Sequence, residues 1–435
     1  MRNEKLITAR EEREWTQEKA AEKIGVSRVT YARWEEKGVI PHLSTLGMAC
    51  KAFKMTSEQL GFRKPSGSQN REGDEDLNRR KALQEIGKLV GTASALFTTP
   101  HMFLDADELE RLIRTLTKPS SIDAETLRAL KSTTENCWRL RVRGSIASPD
   151  LLKAVSGQYR VVAQLLQGSL LPTSRTLLCA VASELALLEG MLLAVDMYQH
   201  DRAQSYYQTA LLVAQQANND ALYAAGLGRM SSLAAVTGES KEARSLLQEA
   251  QRLVTQSDAF TLRAWLAAEE AEVQADIAAQ ETMQNARACF EALERAAMFA
   301  SRIGSEEDTF GMYFDASRIP AYRGSCNIRL HQPEEALVAL EETLEPLEPS
   351  GALTRAVLLD LAEASIQASA VEQACHYMKQ ALEISMQVQA RSSLQRILSL
   401  RQHLQPWSAL QDVKEVDEQL RRLNRGLSRE EGSDT

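Results

Sequence analysis

The stretch Thr16-Gln17 … Gly25-Val26-Ser27-Arg28 … Arg33-Trp34-Glu35 decides the fold of the N-terminal region, and no other part of the 435-residue chain says as much about function. Leu6, Ile7 and Arg10 open a first helix at helical spacing. Thr16 is placed to N-cap a second helix over 17–24, whose Ala20, Ala21 and Ile24 form an apolar stripe with room for close approach. Gly25 suits the left-handed conformation that ends that helix, and Ser27 suits the N-cap of the next, so only a tight turn separates two helices that cross steeply. On the third helix, over 27–37, the apolar positions are Val26, Val29 or Tyr31, and Trp34. Arg28, Thr30, Ala32 and Arg33 point elsewhere, and an exposed basic helix tip of this kind fits the major groove of DNA. Gly38 and Pro41 stop that helix.

Residues 6–62 resemble the phage-repressor, Cro-type helix-turn-helix family. The residues in its register are Leu6, Arg10, Trp15-Thr16-Gln17, Ala20-Ala21, Ile24-Gly25-Val26-Ser27, Arg33-Trp34-Glu35, Gly38, Pro41, Leu46, Ala49, Phe53 and Leu60. The resemblance implies five helices, with Gln17 and Ser27 holding phosphates, Arg28 and Arg33 facing base edges beside Val29 and Thr30, and Arg10 paired to Glu35 inside the domain. That pair is expected to position helices rather than to read DNA. Tyr31 stands where the family usually has Ile, so the packing of the recognition helix is expected to differ there.

Charge follows the same division. Residues 1–62 hold 11 Lys and Arg against 9 Asp and Glu, about +2, whereas the remainder holds 40 against 50, about −10. A net of +2 is low for one domain to hold a phosphate backbone, so a homodimer doubling the contacts is expected on a double-stranded operator. Residues 63–76, rich in Gly and Ser and ending Glu72-Gly73-Asp74-Glu75-Asp76, show no apolar periodicity and read as a linker, placed at 63–78.

From residue 79 the chain is expected to be helix after helix, giving an all-α protein. It comprises a DNA-binding domain over 1–62, a connecting region over 79–175, a repeat domain over 176–390, capping or dimerisation helices over 391–426 and a disordered tail over 427–435. A pattern of small, bulky and small residues recurs as Ala203-Tyr207-Ala210, Ala243-Leu247-Ala250, Ala286-Phe290-Leu293, Ala336-Leu340-Thr343 and Ala374-Met378-Ala381, at spacings of 40, 43, 50 and 38 residues. Each is preceded by another apolar helix, and Gly324 takes the small position of one of them. This alternation resembles the tetratricopeptide-like α-solenoid, whose hairpins touch only their neighbours and whose concave face binds extended peptides or proteins. Arg229, Arg318, Tyr322 and Glu363 take inward positions and are the candidate ligand-binding residues. Leu394, Ile397, Leu398 and Leu400 are more apolar than a solenoid cap needs, which points to a dimer contact.

Other classes find little support. The six cysteines have no CxxC spacing and read as buried reduced thiols, the histidines lack metal-ligand spacing, and no phosphate loop or nucleophile elbow occurs. No apolar run is expected to span a membrane, and no cofactor is expected. The expected protein is a cytoplasmic, non-enzymatic regulator. The domain order is similar to that of peptide-sensing quorum regulators of Gram-positive bacteria. The alternative is a helical-repeat scaffold addressed to DNA without small-ligand sensing.

Overall fold

A computed structural model describes residues 3–13, 15–24, 26, 28–36, 49–57, 59–62, 106–281, 286–304, 314–344, 347 and 351–430. The chain divides into two compact units, Met1–Arg80 and Lys81–Thr435. The described secondary structure is helical throughout, with no strand among the described residues. The turn at 25 and 27, the stop at 38 and 41, the linker over 63–78 and the stretch 79–105 lie outside the described residues.

In the first unit, α1 (Glu4–Glu11), α2 (Gln17–Ile24) and α3 (Arg28–Glu36) surround a core of Leu6, Ala9, Ala20, Ala21, Ile24, Tyr31 and Trp34, closed from below by Phe53 and Leu60. The caps follow the side chains. Asn3 Oδ1 accepts from the Leu6 amide at 3.2 Å, and Thr16 Oγ1 accepts from the Lys19 amide at 3.2 Å. Asn3 also donates Nδ2 to the Leu60 carbonyl at 3.0 Å, tying the two ends of the unit together.

The second unit begins with α4 (Ala106–Thr117), α5 (Ala124–Arg143), α6 (Ser148–Leu166) and α7 (Pro172–Met191), which runs on into a π-helical segment, Leu192–Asp196. There follow α8 (His200–Gln216), α9 (Asp220–Val236), α10 (Ser240–Val254), α11 (Phe260–Glu281), α12 (Ala286–Ala300), α13 (Ile319–Arg329), α14 (Pro333–Leu344), α15 (Ala352–Gln367), α16 (Val371–Gln387), α17 (Arg391–His403) and α18 (Gln411–Glu430). From α7 onward they pack as successive pairs, α7 with α8 through α15 with α16, and each pair stacks on the next. The small-bulky-small triplets lie in the second helix of each pair, with Ala203, Tyr207, Ala210, Ala243, Leu247, Ala250, Ala336, Leu340, Ala374, Met378 and Ala381 all buried.

In two of the pairs the facing helix accommodates the bulky member by carrying glycine. A Cβ on Gly190 would lie 2.5 Å from Tyr207 Cε1, and one on Gly324 would lie 2.4 Å from Leu340 Cγ.

Several expectations need correction. In α12 the buried triplet is Cys289-Leu293-Ala296, three residues beyond the expected Ala286-Phe290-Leu293, because a buried thiol fills the small position. Helix α18 continues to Glu430, past the point where a tail was expected to begin, and the apolar spacing Val413, Val416, Leu420, Leu423, Leu427 continues with it. One segment, Pro172–Asp196, is long and apolar enough to cross a membrane, contrary to the expectation that none is. It is the central core helix of the unit, 78% of its most apolar window being buried, with Glu184 and Glu189 inside. The apolar residues of α17 are largely used within the chain: Ile397 and Leu400 are buried against α15, α16 and α18.

The hairpins do not touch only their neighbours. Asp196, at the end of the π segment, accepts from Arg141 Nε of α5 at 2.9 Å and from Arg355 Nη2 of α15 at 2.9 Å. Arg355 Nε donates to Ser393 Oγ at 2.8 Å, Ser392 Oγ of α17 donates to the Val195 carbonyl, and the Ser148 amide donates to the Val388 carbonyl at 3.0 Å. After a full succession of pairs the chain therefore returns to its own beginning, and the helical unit closes along a polar seam.

Candidate nucleic-acid interface and ligand cavity

Helix α3 is held in place by its buried face. Tyr31 and Trp34 are buried, their rings 5.9 Å apart, and Trp34 meets Phe62 edge-on at 6.2 Å. Tyr31 fills the position expected to pack differently, and burial, aided by the Glu35 carboxylate, pushes its phenol well up from the ordinary value. Glu35 is buried at the end of the helix. It accepts from Arg10 Nε at 2.7 Å and from Gln17 Nε2 at 2.7 Å, while Arg10 Nη1 donates to the Trp15 carbonyl at 3.0 Å. The first turn of α2, the end of α1 and the end of α3 are thus clamped by one carboxylate.

Arg28, Thr30 and Arg33 are exposed on the other face, Arg28 pairing across the turn with Glu18 at 2.7 Å. An exposed pair of this kind is worth little in water and exchanges easily for a phosphate or a base edge. Gln17, expected at a phosphate, has its amide on Glu35 in this structure. Ser27 and the side chain of Val29 lie outside the described residues.

In the helical unit the seam opens into a cavity of about 650 Å³, within the range of ligand sites. Its floor carries Arg141, Arg229, Arg355 and Arg396, and no acidic residue is among the described residues that line it. Of the four candidate ligand residues, Arg229 lines the cavity, its guanidinium stacked 4.4 Å above the Trp265 ring. Tyr322 lies behind this wall. Its hydroxyl donates at 2.8 Å to Glu269 Oε1, which also accepts from Trp265 Nε1 at 2.9 Å, while Ser232 of the cavity wall donates to the other carboxylate oxygen. Burial pushes the Glu269 carboxyl up and pulls the Arg229 guanidinium down.

Glu363 is one step removed as well, pairing with Arg396 Nη2 at 2.7 Å alongside Asp360 at 2.6 Å. Arg318 sits in the 3₁₀ turn Ala316–Arg318 ahead of α13 and not on the cavity wall.

The seam residues Arg141, Asp196 and Arg355 were missed in the sequence reading. The available signal was Arg355, which with Thr354 interrupts the apolar run Ala352–Leu359 and has to find a buried acid.

Residues 6–60 match the helix-turn-helix family HTH_3, and the N-terminal unit is a helix-turn-helix domain of the Cro/C1 type. The chain accordingly carries the domain of a DNA-binding transcription regulator, followed by a helical stack. No curated protein matches the chain.

Proposed function

We propose that the chain is a sequence-specific, non-enzymatic regulator acting in the cytoplasm as a homodimer, and that its helical unit is a tetratricopeptide-like sensor of a peptide or protein ligand, similar in plan to peptide-sensing quorum regulators. The observation that carries the DNA half is the exposed pair Arg28 and Arg33 on a helix whose opposite face is buried through Tyr31 and Trp34. The cavity at the seam supports the sensing half. Dimerisation is supported by the charge of about +2 over residues 1–62, which one copy offers too thinly for tight binding.

Arg28 and Arg33 read base edges, with Val29 and Thr30 beside them, Ser27 and Gln17 at phosphates, and half-sites about 34 Å apart or a multiple of that. Glu18 holds Arg28 in the free state and yields it to DNA.

The test is selection of an operator from random duplexes by the full chain, followed by mobility-shift titration. Arg28→Ala and Arg33→Ala should each cost about 1–3 kcal/mol at the selected site, with much smaller losses on unrelated duplex. Equal losses on all sequences would make both residues phosphate contacts and overturn the assignment.

A further inference from the structure

The seam cavity combines three features that point to one kind of occupant. Its floor is cationic: Arg141 and Arg355 share the single carboxylate of Asp196, leaving that corner one positive charge in excess, and Arg229 lines the wall beside them. Its mouth is apolar, for Val195, Tyr198, Val236 and Leu398 are all exposed and all line it. Four of the eleven large apolar side chains exposed among the described residues are therefore gathered at this one rim. Its third wall is a stripe of uncharged polar groups on α17, where Ser392, Gln395, Ser399 and Gln402 follow one another at steps of three, four and three along a single helix face.

A cationic floor takes an anion, an apolar rim takes an apolar body, and a row of hydroxyls and carboxamides satisfies peptide groups that would otherwise be buried unpaired. We propose that this cavity binds a short apolar peptide by its C-terminal carboxylate, the carboxylate seated among Arg141, Arg229 and Arg355, the backbone along α17, and the side chains against Val195, Tyr198, Val236 and Leu398. The proposal rests on the reading of the helical unit as a peptide sensor and specifies which end of the peptide enters and where. Because Arg141 and Arg229 belong to α5 and α9 while Arg355 and the stripe belong to α15 and α17, the bound peptide spans the seam and holds its two sides together.

The test uses the full chain and an equimolar pool of N-acetylated tripeptides of Leu, Val, Ile and Phe, as free acids or as C-terminal amides, with octanoate as a third probe. Binding is read by native mass spectrometry and the best member is then titrated calorimetrically. The acids are expected to bind at least tenfold more tightly than the amides and than octanoate. Ser399→Asp, an exposed wall residue whose change leaves the core intact, sets a carboxylate on the wall and should weaken the acid at least tenfold without changing the melting temperature. Arg229→Gln should also weaken the acid at least tenfold.

Equal affinity of acids and amides overturns the carboxylate anchor while leaving peptide sensing in place. Octanoate binding as tightly as the peptides overturns the peptide backbone contacts. No binding by any probe overturns the proposal outright. Operator titration on the same preparation remains independent of all three results.

Discussion

Asp196 is the residue on which closure of the helical unit turns, and Asp196→Asn tests it with little change of volume. In the native unit its side chain is 2% exposed and each oxygen takes one arginine, Arg141 at 8% and Arg355 at 5% exposure. Asparagine keeps one acceptor but turns an amino group toward a guanidinium and leaves two buried cations without a counter-charge. Removing one partner of a buried ion pair costs about 3–5 kcal/mol, most of it the penalty of the stranded charge. Arg355 keeps Ser393, so the lower figure applies, and 3 kcal/mol corresponds to on the order of a hundredfold in an opening equilibrium. Hydrogen exchange of the full chain should show this locally. Amides over 192–200 and 391–403 should exchange on the order of a hundredfold faster, while those of α12, which lines neither the seam nor its cavity, change little. Adding Arg355→Met should recover part of the loss, since one unpaired cation is then gone. Unaltered exchange at both segments in Asp196→Asn would refute the view that this triad holds the unit closed.

Two further predictions concern the core. Glu184 is buried in α7 and its carboxyl is pushed by burial from an ordinary 4.5 to about 7, against the attraction of Lys131. The folded state thus holds this proton more tightly than the unfolded chain. The carboxyl costs nothing below pH 4.5, and stability is lost as pH rises from there toward 7. Glu184→Gln should flatten that fall and leave the variant up to about 3 kcal/mol more stable at pH 8, measured by urea unfolding across pH; identical pH profiles would contradict it. Gly324→Ala would drive a methyl to 2.4 Å from Leu340 and should cost about 1–3 kcal/mol, with Leu340→Ala in the same chain relieving the clash, so that the two losses combine to less than their sum in thermal unfolding.

The helix-turn-helix was legible because its determinants are local. Caps at Thr16, small residues at Ala20 and Ala21, and aromatic core positions at Tyr31 and Trp34 all fall within twenty residues, and of the alternatives Val29 and Tyr31 the structure shows Tyr31 buried. The paired helices were legible for the same reason, except in α12, where cysteine stands in for alanine and hides the register. The cavity was legible only in part. Arg229 was found because it takes an inward position on the first helix of its pair, but the rest of the floor comes from α5, α15 and α17, and no periodicity connects Arg141 or Arg355 with Asp196. Tyr322 and Glu363 were found as polar positions on the right helices, yet each acts through a neighbour, Glu269 or Arg396, rather than at the surface.

An open stack of helical hairpins tolerates trimming or extension, since each pair answers only to the next. The contact between Asp196 and Arg355, 159 residues apart, removes that freedom here. A hairpin inserted anywhere between α8 and α14 would carry Arg355 past its partner, and a hairpin deleted would stop it short. The number of pairs is therefore set by the requirement that the chain arrive back at α5 in register. Length variation among relatives of this unit should fall in the loops and beyond α17, while the count of helices between the two sides of the seam stays constant.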